Sequence, residues 1–227
     1  MLSIIEIFRS IQGESSFAGM PCTFVRLAGC NLRCSWCDSE YTFTGGKKMS
    51  EDAIVAEVQR FSPSGLVEIT GGEPMLQECE LVPLMQRLLG LGYEVMIETS
   101  GERPLTNVPK HVHKIVDVKC PDSGEADTFH LDNLNSLTSN DEVKFVISTR
   151  RDYEFARDFT RKHSLESMVK SVIFSPAFRK DATGSRDVSH CLVDPRDVAD
   201  WILADGLNVR LGLQIHKFIW DPATKGV

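Results

Sequence analysis

Short apolar segments of strand length alternate along this chain with longer stretches of helical periodicity. The strand-like segments are rich in valine and isoleucine, and they cover residues 23–27, 66–70, 94–99, 114–119, 143–148, 169–174 and 208–215. Strands that are apolar on both faces are typical of parallel sheets covered by helices. The alternation therefore predicts an α/β architecture with parallel strands.

The stretches between these segments carry start and stop signals of helices. Ser50 is a suitable N-cap, and Asp194 followed by Pro195 is a suitable start for a later helix, which Gly206 would end. Apolar residues at helical spacing indicate two further helices, over residues 81–89 and 153–159. The chain has 227 residues, and a complete eightfold β/α barrel typically needs ~250. We therefore expect a partial β/α barrel that forms a single domain over residues 1–227.

Composition excludes several classes of protein. The net charge is −7, whereas a nucleic-acid-binding surface needs clustered lysine and arginine. No apolar run approaches the roughly 18–20 residues of a membrane helix. Glu6 interrupts the apolar N-terminus, which also lacks the basic region of a signal peptide. We expect a cytoplasmic protein that binds neither nucleic acid nor membrane and whose thiols stay reduced.

Three of the seven cysteines lie within one short segment that follows the strand predicted at residues 23–27. Cys30, Cys34 and Cys37 have the spacing C-x3-C-x2-C, and three thiols so close together cannot all pair as disulfides. Structural zinc usually takes four ligands, and an iron–sulfur electron carrier takes four cysteines, but no second cysteine pair is present. The spacing favours an iron–sulfur cluster with one iron left open, and zinc is the alternative.

A second motif, Thr70-Gly71-Gly72-Glu73-Pro74, follows the strand predicted at residues 66–70. Two glycines at a strand end allow the backbone to approach a ligand closely, because no Cβ stands in the way. Together with the cysteine loop, this motif resembles the radical S-adenosylmethionine (SAM) enzymes. The resemblance implies a 4Fe–4S cluster on three cysteines and SAM on the open iron. It also implies a 5′-deoxyadenosyl radical that abstracts hydrogen from the substrate.

Further segments resemble one family of radical SAM enzymes, the 7-carboxy-7-deazaguanine synthases of queuosine (7-deazapurine) biosynthesis. They are residues 6–14, 24–30, 38–42, 117–121, 214–220 and 226–227. The resemblance implies a carbon–nitrogen lyase that converts 6-carboxy-5,6,7,8-tetrahydropterin to 7-carboxy-7-deazaguanine with loss of ammonia. It further implies hydrogen abstraction by the deoxyadenosyl radical and a ring contraction assisted by Mg²⁺.

The resemblance implies roles for residues at matching positions, with no catalytic side chain beyond the cofactor-generated radical. The metal ligands would be Cys30, Cys34 and Cys37 for the cluster and Ser39 for Mg²⁺. The SAM-binding residues would be Gly71, Gly72, Glu73, Glu98, Asp117, Val118, Lys119, Ser175, Pro176, Ala177 and Phe178. The substrate-binding residues would be Ile11, Gln12, Gly13, Arg26, Thr70 and Val227. The residue type at Arg26 supports this, since a guanidinium binds a carboxylate through two parallel hydrogen bonds.

The resemblance also implies a homodimer, a pterin as small-molecule substrate, and an electron donor such as flavodoxin or ferredoxin. Two alternatives remain at this point. A small glycyl-radical activase would share the cysteine loop and the glycine pair, but it would not need Arg26 or Ser39 in their places. A non-enzymatic zinc-binding or electron-transfer module would need only the cysteines.

Overall fold

The computed structural model describes residues 1–61 and 63–227. Its strands are β1 (Leu2–Ile11), β2 (Pro21–Leu27), β3 (Lys47–Met49), β4 (Leu66–Gly71), β5 (Glu94–Thr99), β6 (His113–Asp117), β7 (Glu142–Ile147), β8 (Ser171–Pro176) and β9 (Arg210–Leu211). Its α-helices are α1 (Glu51–Arg60), α2 (Glu78–Gly90), α3 (Arg150–Lys162), α4 (Leu165–Met168), α5 (Pro195–Asp205) and α6 (His216–Ile219). In the described part of the chain, no helix is long and apolar enough to cross a bilayer.

The strands within these residues form one sheet in the order β3-β1-β2-β4-β5-β6-β7-β8-β9. From β2 to β9 neighbouring strands run parallel, whereas β1 pairs antiparallel with both β2 and β3. Because β3 and β9 lie at opposite edges, the sheet is open. The predicted partial β/α barrel is confirmed, with an antiparallel pair added at one edge.

The start and stop signals in the sequence identified the start of α1 and both ends of α5. The Ser50 hydroxyl accepts a hydrogen bond from the backbone N–H of Ala53 at the start of α1, and the Asp194 carboxylate accepts one from the N–H of Arg196 at the start of α5. Gly206 ends α5 with φ at +62°, where glycine is the least strained residue. The last predicted strand was largely wrong, because only Arg210–Leu211 pairs with β8.

Alternation along the parallel strands gives the sheet two different faces. The outer face packs against the helices through aliphatic and aromatic side chains such as Ile69, Ile97 and Phe145. The inner face starts apolar, with Phe24 and Met96, and becomes charged or polar towards the carboxyl ends of the strands. These inner residues are Arg26, Glu68, Thr70, Glu98, Asp117 and Lys144.

Two irregular segments cross the inner face and enclose it. Residues 12–17 follow β1, and the N–H of Ser16 reaches the carboxylate of Glu142 on β7 at 3.1 Å. The segment after β9 returns to meet them, since the N–H of Ile215 donates to the carbonyl of Gly13 across 3.0 Å. The polar half of the inner face is thereby enclosed by residues from both ends of the chain.

Candidate active site

The loop after β2 carries the three clustered cysteines. The N–H of Ser35 donates to the carbonyl of Ser123 across 2.9 Å, which fixes the loop against the segment after β6. All seven cysteines are free thiols. Burial raises the pKa of Cys30, and it raises the pKa of Cys34 to about 11. These thiols therefore keep their protons until a metal displaces them.

The glycine turn after β4 lies in backbone contact with this loop. Gly71 has φ at +146°, and a Cβ there would lie 2.3 Å from the carbonyl oxygen of Leu27. A Cβ at Gly72 would lie 2.2 Å from the carbonyl oxygen of Gly29 and 2.6 Å from the Cβ of Cys30. A side chain at Gly71 would collide with the end of β2, and one at Gly72 would collide with the cysteine loop, so this turn depends on close backbone approach.

The side chain of Glu73, which the resemblance assigns to SAM, is held by hydrogen bonds within the protein. It is fully buried, and its carboxylate accepts hydrogen bonds from the Thr99 hydroxyl at 2.7 Å and from the N–H and hydroxyl of Ser100 at 2.8 and 2.6 Å. The N–H of Met75 donates to it at 3.0 Å. The Glu73 side chain therefore ties the glycine turn to the end of β5 and forms no part of the cavity walls described next.

A large cavity of about 180 Å³ lies at the carboxyl ends of the strands. Cys30, Cys34 and Cys37 line it beside the glycine turn, and no fourth cysteine contributes to its described walls. This donor set fits a 4Fe–4S cluster that keeps one iron open. Zinc would need ligands that converge on one ion, and no three His, Cys, Asp or Glu side chains in residues 1–61 and 63–227 do so.

Asp117 and Lys119 form the wall of the large cavity at the end of β6. Lys119 Nζ donates to Asp117 Oδ2 across 2.7 Å, and Asp117 raises the pKa of Lys119 even though burial acts to lower it. Asp117 Oδ1 is buried without a hydrogen-bond partner in the described residues. An unsatisfied buried oxygen is costly, and a donor group of a bound ligand would satisfy it.

Lys144 projects from β7 between two carboxylates. Its Nζ donates to Glu14 Oε2 across 2.9 Å and also contacts Glu98 Oε1, and its side chain is only 3% exposed. Burial acts to lower the pKa of Lys144, but the two carboxylates raise it well above its ordinary value. In return, Lys144 holds the pKa of Glu14 below its usual range, against the effect of burial. Lys144 and Glu14 are therefore an ionised pair at neutral pH.

A small cavity of about 100 Å³ adjoins the large one. The two cavities share wall residues at their boundary, namely Glu14, Arg26, Asp38, Thr70 and Glu98. The other walls of the small cavity are Ile11, Gln12, Gly13, Phe24, Glu68, His216 and Val227. The side chain of His216 lies against Gly13, where a Cβ would lie 2.2 Å from Nδ1.

Arg26 is held at the boundary of the two cavities. Its Nε donates to Glu6 Oε1 across 2.8 Å, and the Tyr41 hydroxyl donates to the same oxygen across 2.9 Å. The guanidinium carbon lies 5.6 Å from the centre of the Phe8 ring. Its two terminal nitrogens have no hydrogen-bond partner among residues 1–61 and 63–227. Their N–H groups therefore remain available to donate hydrogen bonds to an anionic ligand.

Oxygen ligands suited to Mg²⁺ also lie near this boundary, since Asp38 lines both cavities and Ser39 lines the large one. Ser39 Oγ is 3.8 Å from Cys37 Sγ. The neighbouring Asp38 accepts a hydrogen bond from Lys217 Nζ at 2.6 Å, and Lys217 lowers the pKa of Asp38 against the effect of burial. The ammonium of Lys217 also lies 5.0 Å from the ring centre of Phe178. A hydroxyl and an ionised carboxylate here are hard donors of the kind Mg²⁺ prefers.

The structure brings most of the predicted site residues together. The large cavity includes Cys30, Cys34, Cys37, Ser39, Gly71, Gly72, Glu98, Asp117, Lys119 and Phe178. The small cavity includes all six predicted substrate-binding residues, Ile11, Gln12, Gly13, Arg26, Thr70 and Val227. The remaining predicted residues, Glu73, Val118, Ser175, Pro176 and Ala177, are buried behind the walls.

Sequence reasoning missed several charged or polar wall residues. They are Glu14, Asp38, Glu68, Lys144, Gln214, His216 and Lys217. For Glu68 and Lys144 a signal was present, because each is a charged residue between apolar neighbours in a predicted strand.

Comparisons of this chain with a family model, with curated proteins and with solved structures agree with one another. The family model described as the radical SAM superfamily matches residues 25–171. The 7-carboxy-7-deazaguanine synthase of Koribacter versatilis is 71% identical over 226 residues, covering 100% of both chains. The enzyme of the same name from Chlorobaculum tepidum is 40% identical over 230 residues, covering 100% of this chain and 97% of its own. The crystal structure of QueE from Escherichia coli has the same fold, with a TM-score of 0.72, 24% identity and 93% coverage of both chains.

Proposed function

Because the chain belongs to the 7-carboxy-7-deazaguanine synthases of the radical SAM superfamily, we propose that it converts 6-carboxy-5,6,7,8-tetrahydropterin to 7-carboxy-7-deazaguanine. The reaction releases ammonia and contracts a six-membered ring to a five-membered one. In this proposal the large cavity holds the 4Fe–4S cluster and SAM, and the small cavity holds the pterin.

One observation supports this assignment above the others. The two cavities adjoin each other and share Arg26, Thr70 and Glu98 as walls. A molecule in the small cavity therefore lies next to the ligand of the large one, as direct hydrogen transfer between them requires. A glycyl-radical activase needs access for a protein partner, whereas this small cavity is enclosed by residues from both ends of the chain.

The cofactor-binding residues have separate tasks. Cys30, Cys34 and Cys37 would hold the cluster, which with SAM supplies the radical chemistry of this superfamily. Gly71 and Gly72 would present backbone carbonyls to SAM, since their missing Cβ atoms allow a close approach. Other SAM contacts would be Glu98, Asp117, Val118, Lys119, Ser175, Pro176, Ala177 and Phe178, some of them through the main chain. Glu73 would act by fixing the turn and the end of β5.

The substrate-binding residues orient the pterin at the boundary. The free donors of Arg26 would bind the substrate carboxylate through two hydrogen bonds. Ser39 would hold Mg²⁺, which would also bind that carboxylate and neutralise part of its charge. Ile11, Gln12, Gly13, Thr70 and the main chain of Val227 would enclose the ring system.

The remaining expectations are part of the same proposal. Residues 1–227 would act as one domain and assemble as a homodimer in the cytoplasm. The cluster would receive electrons from a flavodoxin or a ferredoxin, since SAM cleavage of this kind needs a one-electron reductant. The chain would bind no nucleic acid and no membrane.

An anaerobic assay tests the proposal. The reconstituted protein is supplied with SAM, a reductant, Mg²⁺ and 6-carboxytetrahydropterin, and the products are read by mass spectrometry. We expect 7-carboxy-7-deazaguanine and ammonia in equal amounts. If SAM is cleaved but no deazaguanine acid forms under any of these conditions, the proposed substrate is wrong.

A further inference from the structure

Glu68 is a carboxyl group in an otherwise apolar part of the inner face. In the sheet register it lies beside Phe24 on β2 and Met96 on β5, and only 2% of the residue is exposed. It belongs to the walls of the small cavity and not to those of the large one. A carboxyl buried among apolar side chains is costly unless a partner compensates it.

The protein itself supplies little compensation. Glu68 Oε2 accepts one hydrogen bond, from Gln12 Nε2 at 3.1 Å, and no lysine or arginine of the described residues forms an ion pair with it. Burial and the nearby Glu98 raise the pKa of Glu68 to about 8. The group therefore retains hydrogen-bonding capacity that a ligand in the small cavity would use.

The side-chain amide of Gln12 is already engaged within the protein, which leaves Glu68 as the acceptor at this end of the small cavity. The amide oxygen of Gln12 already accepts hydrogen bonds from the N–H groups of Glu14 and Ser15, both at 2.9 Å. Its nitrogen is directed to Glu68. A ligand N–H that enters here therefore meets an oxygen of Glu68, not the amide oxygen of Gln12.

Arg26 and Glu68 lie at different levels of the small cavity. Arg26 is opposite Thr70 in the register of β2 and β4, and Glu68 precedes Thr70 by two residues on the same face. The two positions are therefore offset by about 7 Å along the strands, and both residues line the small cavity. A pterin whose carboxylate binds Arg26 would extend its amino-substituted ring along the cavity towards Glu68.

We propose that Glu68 is a specificity-determining residue that accepts a hydrogen bond from the exocyclic amino group on C2 of the pterin. The inference rests on the proposed function, since it takes the pterin as the occupant of the small cavity. Either protonation state of Glu68 retains an acceptor oxygen, so the contact does not depend on its charge. A ring without the amino group would leave this carboxyl buried without its ligand partner, which disfavours binding.

Binding of two oxidised pterins, which cannot be turned over, tests this role. The protein with cluster, SAM and Mg²⁺ is titrated anaerobically with 6-carboxypterin and with 2-deamino-6-carboxypterin, and binding is followed by calorimetry. We expect the wild-type protein to bind the amino compound at least about tenfold more tightly. In Glu68→Leu this preference should fall below about threefold, because no acceptor remains.

Matched variants keep the test decisive. Glu142→Gln changes another buried glutamate, which binds His113 and Ser16 outside both cavities, and it should keep the full preference. Glu68→Met has a similar side-chain length but no acceptor oxygen, so it serves if the leucine variant does not fold, and its preference should also fall below about threefold. A full preference in either Glu68 variant, or equal binding of the two compounds to the wild type, would overturn the role of Glu68. If neither compound binds to the wild type, the proposed pterin site itself is wrong.

Discussion

Lys144 donates a hydrogen bond to Glu14 across 2.9 Å and thereby joins two residues that are 130 positions apart in the sequence. The pair connects β7 to the segment after β1 that crosses the inner face of the sheet. Glu14 lies at the boundary of the two cavities, and Lys144 lines the large one. The contact is therefore part of the framework of the site as well as part of its wall.

Replacing Lys144 with methionine should destabilise the protein and weaken its SAM site. The change leaves Glu14 and Glu98 without their shared cation, and loss of one partner of a buried ion pair costs about 3–5 kcal/mol. Urea denaturation measures that loss. Titration with SAM should show at least about tenfold weaker binding, which corresponds to about 1.4 kcal/mol or more.

Lys114→Met is the matched control for this prediction. Lys114 is 2% exposed and its ammonium lies 3.1 Å from Asp141, but it lines neither cavity. We expect a similar loss of folding free energy and unchanged SAM binding. Equal SAM affinities in the two variants would show that Lys144 acts on stability alone.

The raised pKa of Glu68 predicts how stability depends on pH. The unfolded chain releases this proton near pH 4.5, whereas the folded protein retains it up to about pH 8, the pKa of Glu68 in the folded state. Protonated Glu68 therefore contributes to the free energy of unfolding below pH 4.5. This contribution falls by up to roughly 1 kcal/mol per pH unit as the pH rises from 4.5 to 8. Glu68→Gln removes this dependence, so its stability relative to wild type should increase from pH 5 to pH 8 in urea denaturation. A constant difference would contradict the prediction.

Alanine at Cys30, Cys34 or Cys37 should remove the cluster. Each thiol supplies one protein ligand, and the cavity offers no fourth cysteine among its described walls as a replacement. Iron and sulfide analysis after anaerobic reconstitution should show at least roughly tenfold less cluster, and SAM cleavage should be lost. Cys79→Ala, at an exposed position on α2, should retain both. A variant of the three that keeps its iron would remove that residue from the ligand set.

Ser39→Ala should raise the Mg²⁺ concentration needed for half-maximal product formation by about tenfold or more, because a hard oxygen ligand is lost. Ser35→Ala is the control in the same loop, since its hydroxyl donates to the carbonyl of Ser123 and does not line the cavity. Mg²⁺ titrations of the three proteins provide the measurement. An unchanged Mg²⁺ requirement in Ser39→Ala would exclude the proposed ligand.

Arg26→Gln should weaken binding of 6-carboxypterin by roughly 10- to 100-fold, because two charge-assisted hydrogen bonds are lost. The loss should almost disappear for pterin without the carboxyl group, and calorimetry with both compounds measures this. Arg9→Gln, at an exposed position on β1, should bind both compounds as the wild type does. A similar loss for both compounds would mean that Arg26 does not recognise the carboxylate.

The parallel core of the fold was accessible from the sequence because it is encoded locally. Val67 and Ile69, on either side of Glu68, are apolar enough to identify a buried strand. β1 was missed because its polar residues, such as Glu6 and Arg9, interrupt the apolar pattern expected of a covered parallel strand. Its antiparallel pairing with β2 and with the short edge strand β3 explains that composition.

The charged walls of the two cavities were harder to predict from residue patterns, since they depend on contacts between distant parts of the chain. A charge within an apolar strand is not specific enough to identify them. Lys144 lines the large cavity, whereas Lys114, another lysine in a predicted strand, forms a buried ion pair elsewhere. Only the alternation of faces, together with the register of β6 and β7, separates these two lysines.

The two ends of the chain meet at the small cavity, and this has a consequence for synthesis on the ribosome. A nascent chain that has not yet released residues 214–227 can already contain β1 to β8 and the cysteine loop, but its small cavity lacks the wall made by His216 and Val227. Such a chain has the three clustered cysteines without the full enclosure of the adjoining cavity. The order of translation therefore delays completion of the small cavity until residues 214–227 have emerged.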